Sequence, residues 1–346
     1  MKKYLMILGG FTGFLFLITA IPTQLLGQTP RAANLGTATE TTQISTEESE
    51  TDLPTAETEL CSSYAMLDIT SGKVEEISVR EYLIGAVCAE MPATFESEAL
   101  KAQAVAAHTY AERQHLLEQN DPTPALYGAD FSNDSSQYQA YFTENQAKQY
   151  YGENFDSCYS KISDAVDEVL PYLLEYEGTP IIAAFCSISS GTTESAETVW
   201  GSRVDYLVSV ESSADTTAPR YLETKEMAAD EFREIVSKIL PDAVWDDDPA
   251  KWVQLGDTSE AGTVLTVTVG RQELTGQEFR ELLDLRSAAF TVEYADEKLT
   301  FTTRGYGHGV GMSQYGANAM AKDGAGWQEI LAHYYPGTEI TEGTFQ

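Results

Sequence analysis

Three short stretches carry the residue types that chemistry needs. The first is GAVCAEMP, residues 85–92, in which Glu90 stands two places before a proline. Pro92 disfavours the helical region for Met91, so a helix reaching this point ends at Glu90. A carboxylate there meets the negative pole of the helix dipole among apolar neighbours, and both influences raise its pKa. A carboxyl group that stays protonated near neutrality is a general acid. Read blandly, Glu90 is a solvated glutamate at a helix end, and the rest of the chain has to decide between the two.

The second stretch is RGYGHGVGMSQYGA, residues 304–317. Its alternating glycines permit positive φ and let the backbone approach a ligand closely. His308 is the one titratable side chain in the middle of that run, and Tyr306 and Tyr315 offer flat apolar faces for sugar rings. No Gly-Lys-Ser/Thr follows, which excludes a phosphate loop, and the spacing is wrong for a dinucleotide fingerprint. The alternative is a tight structural turn holding a satisfied histidine. The third stretch is AFCSISSGTTESAETVWG, residues 184–201, a strand entering a small-residue loop. Cys186 is a candidate nucleophile with His308 as its base. Glu194 and Glu197 are second carboxylates or helix caps.

These stretches need elements to hold them. Ser78 with Glu81 three residues on is a capping box, and Leu83, Ile84, Val87 and Met91 follow at helical spacing. A second helix runs on through EALKAQAVAAHTYAER to Arg113. Residues 121–151 read as loop and short strand. A helix over Ile162–Val169 stops at Pro171, and a β-hairpin from Tyr172 turns at Gly178. Glu226–Ile239 reads as an amphipathic helix and Val264–Val269 as a half-buried strand. A helix led by Gly276 precedes strands at Ala289–Glu293 and Lys298–Thr302. The last 42 residues combine the glycine-rich loop with two short helices. Helices and antiparallel strands mix without βαβ alternation, so the fold class is α+β.

The chain has 346 residues, enough for one large or two ordinary domains. Its 21 basic and 54 acidic residues give a formal net charge of −33, which excludes a nucleic-acid partner by phosphate repulsion. The same balance predicts a poor match to anionic peptides and leaves uncharged sugars open. Two lysines precede eighteen uncharged residues, Tyr4 to Ile21, without a clean cleavage site. Residues 1–27 are therefore expected to be a single-pass membrane anchor with the remainder outside the cell. Residues 28–60 carry seven acidic residues and no apolar period, as a disordered linker does. Residues 61–346 are then the folded domain. Cys61, Cys88, Cys158 and Cys186 are widely spaced, which permits disulfides and gives little support to structural zinc. Cys88, inside the first helix, reads as a small buried hydrophobe.

At this level the residues carry a resemblance. GAVCAEMP…EALKAQAVAAHTYA, CSISSGTTESAETVWG with DYLVSV after it, LTGQEFRELLDLRSAAF and GYGHGVGMSQYGANAMAKDG…EILAHYYPGTEI resemble the stage II sporulation protein D family, in order, over about residues 66–342. The resemblance implies a membrane-anchored lytic transglycosylase acting on peptidoglycan during engulfment. It implies a preference for strands stripped of stem peptides, and the amidase and membrane protein of the same complex, stage II sporulation proteins P and M, as partners. It places the catalytic carboxyl at Glu90, and His308, Tyr306, Gln314, Tyr315, Ser187, Ser189 and Glu194 form the candidate substrate-binding set. Related proteins enhance amidases, so a non-catalytic glycan-binding enhancer is the alternative. Three departures stand out. Cys186 replaces a histidine, His108 replaces an arginine, and the segment GADFSNDSSQYQAY lacks the His and Cys with which some members bind zinc. No metal and no cofactor are expected.

Overall fold

A computed structural model describes residues 58–345. No helix among them is long and apolar enough to cross a membrane. The expected anchor, and the linker up to residue 57, lie outside the described residues. Thr58–Leu60, within the stretch expected as linker, form an edge strand parallel to Glu339–Phe345.

The α+β class holds, and the folded part is built around two hydrophobic cores. The first draws on residues before about 210 and after about 310. Its centre is α2 (Ser97–Asn120), preceded by α1 (Val79–Glu90). From Ala99 to Thr109 nearly every residue of α2 is buried. A helix buried on all sides needs small side chains so that its neighbours can come close, and AQAVAA supplies them. Around it pack α1, the helices Phe155–Val169, Gln314–Lys322 and Trp327–Tyr334, and the strand Tyr172–Tyr176.

α1 behaves as its sequence demands. The Ser78 hydroxyl accepts the Glu81 amide at 3.2 Å, and Leu83, Ile84, Val87 and Met91 are all buried. Met91 is extended, at φ −128° and ψ 136°, so Pro92 stops the helix at Glu90. Other elements differ from expectation. Glu144–Tyr151, expected as loop, is a helix closed by a Thr143/Gln146 capping box; only Ala147 of it is buried, too little to give an apolar period. The Tyr172 hairpin turns at Glu177 and Gly178, both at positive φ. Its second arm stops at Pro180, which has no amide to donate. The chain then runs to Phe185–Cys186, which pairs parallel with Met312–Ser313.

The second core belongs to residues between about 222 and 304. Leu222–Ala228 is a strand, not the start of a helix; it pairs with Lys298–Arg304, which also pairs with Phe290–Ala295. Strand pairing overrides the local helical bias of its Glu and Ala residues. The helix begins at Ala229 and runs to Ile239. A second three-stranded sheet, Gln272–Thr275, Thr266–Val269 and Val253–Leu255, completes this lobe with the capped helix Gly276–Leu282. Phe232, Phe279 and Phe301 lie at its centre.

Candidate active site

Where the two cores face each other they leave a cleft of about 330 Å³. Glu90, Pro92, Ser187, Ile188, Tyr306, Gln314 and Tyr315 line it from the first core. Arg220, Glu223, Lys225, Asp284, Arg286 and Thr303 line it from the other side. The sequence therefore brings five of its candidates, Glu90, Ser187, Tyr306, Gln314 and Tyr315, to one surface.

Glu90 is partly buried, and burial pushes its carboxyl from 4.5 up to about 8. The Ala140 amide donates to Oε1 at 3.0 Å and works in the opposite direction. No charged group contributes to the shift, so desolvation is its cause. An amide hydrogen on Oε1 leaves Oε2 to carry the proton. Gln314 is buried, and its amide reaches Oε1 of Gln103 on α2 at 3.3 Å. Tyr315 meets Phe95 edge-on at 4.9 Å, and its amide donates to the Ser187 carbonyl at 3.1 Å. The Arg286 guanidinium lies over the Tyr306 ring, 4.1 Å from its centroid.

The glycine-rich run adopts the conformation expected of it but serves a different neighbour. Glycines 305, 307, 309 and 311 all have φ between 75° and 111°. They bring the loop against the chain's own 184–194 segment. A Cβ on Gly305 would stand 2.7 Å from the Ile188 carbonyl oxygen, and one on Gly311 would overlap that of Ala184. Tyr306 and Ile188 exchange both backbone hydrogen bonds, at 2.7 and 3.1 Å. The Glu194 amide donates to the Gly309 carbonyl at 2.8 Å.

That close packing removes three candidates from the cleft surface. His308 is buried, and burial with the nearby Arg280 charge holds its imidazole down at about 3. Its Nδ1 accepts the Val310 amide at 3.0 Å, so the neutral ring carries its proton on Nε2. Ser189 is buried and gives both its hydroxyl, at 2.6 Å, and its amide, at 2.9 Å, to Asp215 Oδ2. Glu194 is buried and accepts the Ser259 hydroxyl at 2.5 Å. Ser189 and Glu194 are thus satisfied inside the protein, whereas Nε2 of His308 is buried without a hydrogen-bond partner. The Cys186–His308 nucleophile pair fares no better. Cys186 is buried, its thiol is pushed well above the usual range, and a thiol that cannot ionise is a poor nucleophile. His108 is also buried and stacks near Phe345. All four cysteines are free. Among the described residues no group of three or more His, Cys, Asp or Glu side chains is placed to hold a metal.

Sequence reasoning missed three features. Asp215, fully buried, collects Ser189 on one oxygen and the Ser313 hydroxyl at 2.9 Å on the other. Ser313 also caps the helix Gln314–Lys322, so Asp215 ties both loops beneath the cleft. Gln103 supports Gln314 from inside the core. The charge of the far wall is the third: Arg220, Lys225 and Arg286 stand there with Glu223 and Asp284, so bases outnumber acids on that wall in a chain whose acids far outnumber its bases. The net charge therefore does not describe the binding surface. A Gly-x-Gly spacing or a lone Arg in RSAAF gives no hint of it.

The family model described as Stage II sporulation protein matches residues 69–176. The amidase enhancer of Bacillus subtilis (strain 168) is 29% identical over 312 residues, covering 75% of this chain and 40% of that protein. Stage II sporulation protein D of Bacillus amyloliquefaciens is 39% identical over 271 residues, 78% of this chain and 76% of that protein. That of Bacillus subtilis (strain 168) is 41% identical over 269 residues, with the same coverage. With such identity across more than three quarters of its length, the chain belongs to the stage II sporulation protein D family.

Proposed function

We propose that the protein is a lytic transglycosylase that cleaves the bond between N-acetylmuramic acid and N-acetylglucosamine, with Glu90 as its acid and base. The observation that carries this reading is a carboxyl group held protonated near neutrality on the surface of a two-lobed cleft. At pH 7 a group with a pKa of about 8 is roughly nine-tenths protonated. Oε2 of Glu90 gives its proton to the glycosidic oxygen as the bond to C1 breaks. The C6 hydroxyl of the same muramic acid attacks C1, and its proton passes to the Glu90 carboxylate. A 1,6-anhydro ring results, the acid is restored and no water is consumed.

One carboxyl suffices for that sequence, whereas glycosidases that use water need two. Glu223, one of the two other acids lining the cleft, agrees with this count. It is held by Arg220 and Arg286, which keep its carboxyl below its ordinary range. Tyr306 and Tyr315 supply apolar faces to the sugar rings. The same reading includes the anchor at residues 1–27, the linker after it, a domain outside the cell membrane, and work beside the amidase and membrane protein of the engulfment complex. Digestion of amidase-treated glycan strands tests it: anhydro-muramic ends are expected, and Glu90→Gln should lower their release by about 100- to 10,000-fold. A fully active Glu90→Gln protein sinks the assignment.

The similarity to an amidase enhancer favours one second reading, a glycan-binding protein that stimulates an amidase without cutting. It expects glycan binding and amidase stimulation that survive Glu90→Gln, and no anhydro product.

A further inference from the structure

The amide that Glu90 accepts comes from an irregular strap, residues 139–142, laid along α1. Two bonds fix its course. The Ala140 amide donates to Glu90 Oε1 at 3.0 Å, and the Phe142 amide donates to the Gly85 carbonyl at 3.1 Å. The strap thus descends the helix from its last residue towards its middle. Gly85 permits that close approach: a Cβ there would overlap both the Tyr141 ring and the Phe142 carbonyl oxygen. Any side chain at this turn of α1 would lift the strap, and the Ala140 amide with it.

A single side chain grips the strap on both sides of Ala140. Tyr82 lies on α1, about two turns before Glu90. Its hydroxyl donates to Gln139 Oε1 at 2.9 Å, and its ring stacks on that of Tyr141, 5.8 Å between centroids. The Phe131 ring, 4.8 Å away, supports Tyr82 in turn. Tyr82 and Gln139 are both buried. Stability alone does not account for Gln139. Its Nε2 is shielded from solvent without a hydrogen-bond partner, a cost that a methionine of similar length would avoid. What the glutamine supplies is the acceptor for Tyr82. Neither residue lines the cleft, so their influence on a substrate passes through Glu90.

We propose that Tyr82 and Gln139 are positioning residues for the acid: together they hold the Ala140 amide on Oε1 of Glu90, so that Oε2 is the oxygen presented to the glycosidic bond. The inference rests on the reading of Glu90 as the acid. A free carboxyl group can carry its proton on either oxygen and turn about its last bond. With an N–H fixed on Oε1, a proton on that oxygen would set donor against donor, so it belongs on Oε2. Transfer then starts from one orientation of the acid, and orientation of this kind is a large part of a catalysed rate.

Tyr82→Phe keeps the ring and removes the bond to Gln139, and Gln139→Met removes the same bond from its other end. Infrared difference spectra of the full chain with and without Glu90→Gln isolate the Glu90 carboxyl at about pH 6, where ordinary carboxylates are ionised. A carbonyl that loses a hydrogen-bond donor stretches at higher frequency, so the band should move up in both variants. On amidase-treated glycan strands kcat should fall about ten- to a hundredfold in both, with KM nearly unchanged. Tyr64→Phe is the control. The Tyr64 hydroxyl donates to Glu112 at 3.2 Å and its ring packs 5.6 Å from that of Tyr82. That variant loses a buried hydroxyl from the same aromatic cluster but not from the strap, and should move neither readout. A band that stays in place in Tyr82→Phe and Gln139→Met overturns the proposal. So does an unchanged kcat, or an equal change in Tyr64→Phe. Should Tyr82→Phe fail to fold, Gln139→Met decides alone. A shifted band in a protein whose unaltered chain cleaves no glycan would defeat the transglycosylase reading and leave the hold on Glu90 standing; Glu90-dependent cleavage with an unmoved band would do the reverse.

Discussion

Replacing Glu90 by Gln should stabilise the protein, and by more at alkaline than at acid pH. Burial raises the Glu90 carboxyl from 4.5 to about 8. Between those values the folded chain keeps a proton that the unfolded chain has released, so stability falls as pH rises through this window. The shift, about 3.5 units at 1.36 kcal/mol each, corresponds to about 5 kcal/mol once the group is fully ionised. Between about pH 5.5 and pH 8.5 the portion lost is about 3 kcal/mol, which partial exposure of the side chain reduces to about 1.5 kcal/mol. Glutamine cannot ionise, and its carbonyl can still accept the Ala140 amide, so the variant escapes this cost. For a chain of this size that difference is about 2–3 °C in melting temperature. Thermal unfolding of both proteins, followed by circular dichroism across this range, measures it directly. The acid limit stays above the isoelectric point near 4.2. A gap independent of pH, or one that widens on acidification, would refute the claim that Glu90 is a desolvated acid.

Three further outcomes follow from the same geometry. Release of anhydro-muramic ends should be nearly flat below about pH 7 and fall about tenfold per unit well above pH 8, as Glu90 ionises; a rate that rises through pH 8 would show the carboxylate to be the working form. Asp215→Ala leaves the Ser189 amide and two hydroxyls without their buried acceptor, so urea denaturation should show a loss of about 1–3 kcal/mol. Cys186→Ala should keep glycan cleavage, and thiol-blocking reagents should react slowly at Cys186 in the folded chain, because its thiol is buried and resists ionisation. Rapid inactivation by such a reagent that Cys186→Ala abolishes would restore the nucleophile reading.

What the sequence shows of this site depends on how local the cause is. The end of α1 is legible because Pro92 acts on the residue directly before it, and the position of Glu90 follows. Positive φ in the glycine-rich run is legible for the same reason. The neighbour that requires those glycines is not, since Ala184 and Ile188 lie more than a hundred residues away in the chain. His308, Ser189 and Glu194 look like ligand groups because polar residues on small-residue loops usually face solvent. Here the two loops pack against each other and turn all three inward. Arg286 is the opposite case: its setting comes from Tyr306, Glu223 and Arg220, and no pattern in the RSAAF stretch announces them. The helix Glu144–Tyr151 was hidden because its stability comes from its cap and from neighbours rather than from an apolar stripe.

The arrangement of charge within the cleft has a reason that the composition conceals. A guanidinium within about 4–6 Å of a carboxyl lowers its pKa by one to three units, which would leave Glu90 ionised at neutral pH and useless as an acid. The groups that act on Glu90 are burial and one backbone amide, with no charge among them. The arginines stand instead on the wall supplied by the second core, bound to Glu223 and stacked on Tyr306. Two lobes therefore permit what one could not, a neutral acid and a cationic wall in a single cleft. Moving a positive charge towards Glu90, by Ala140→Lys for example, should lower its pKa and shift the alkaline limb of the pH–rate profile to lower pH. If that limb stayed in place, the spacing between acid and cations would have no bearing on the chemistry.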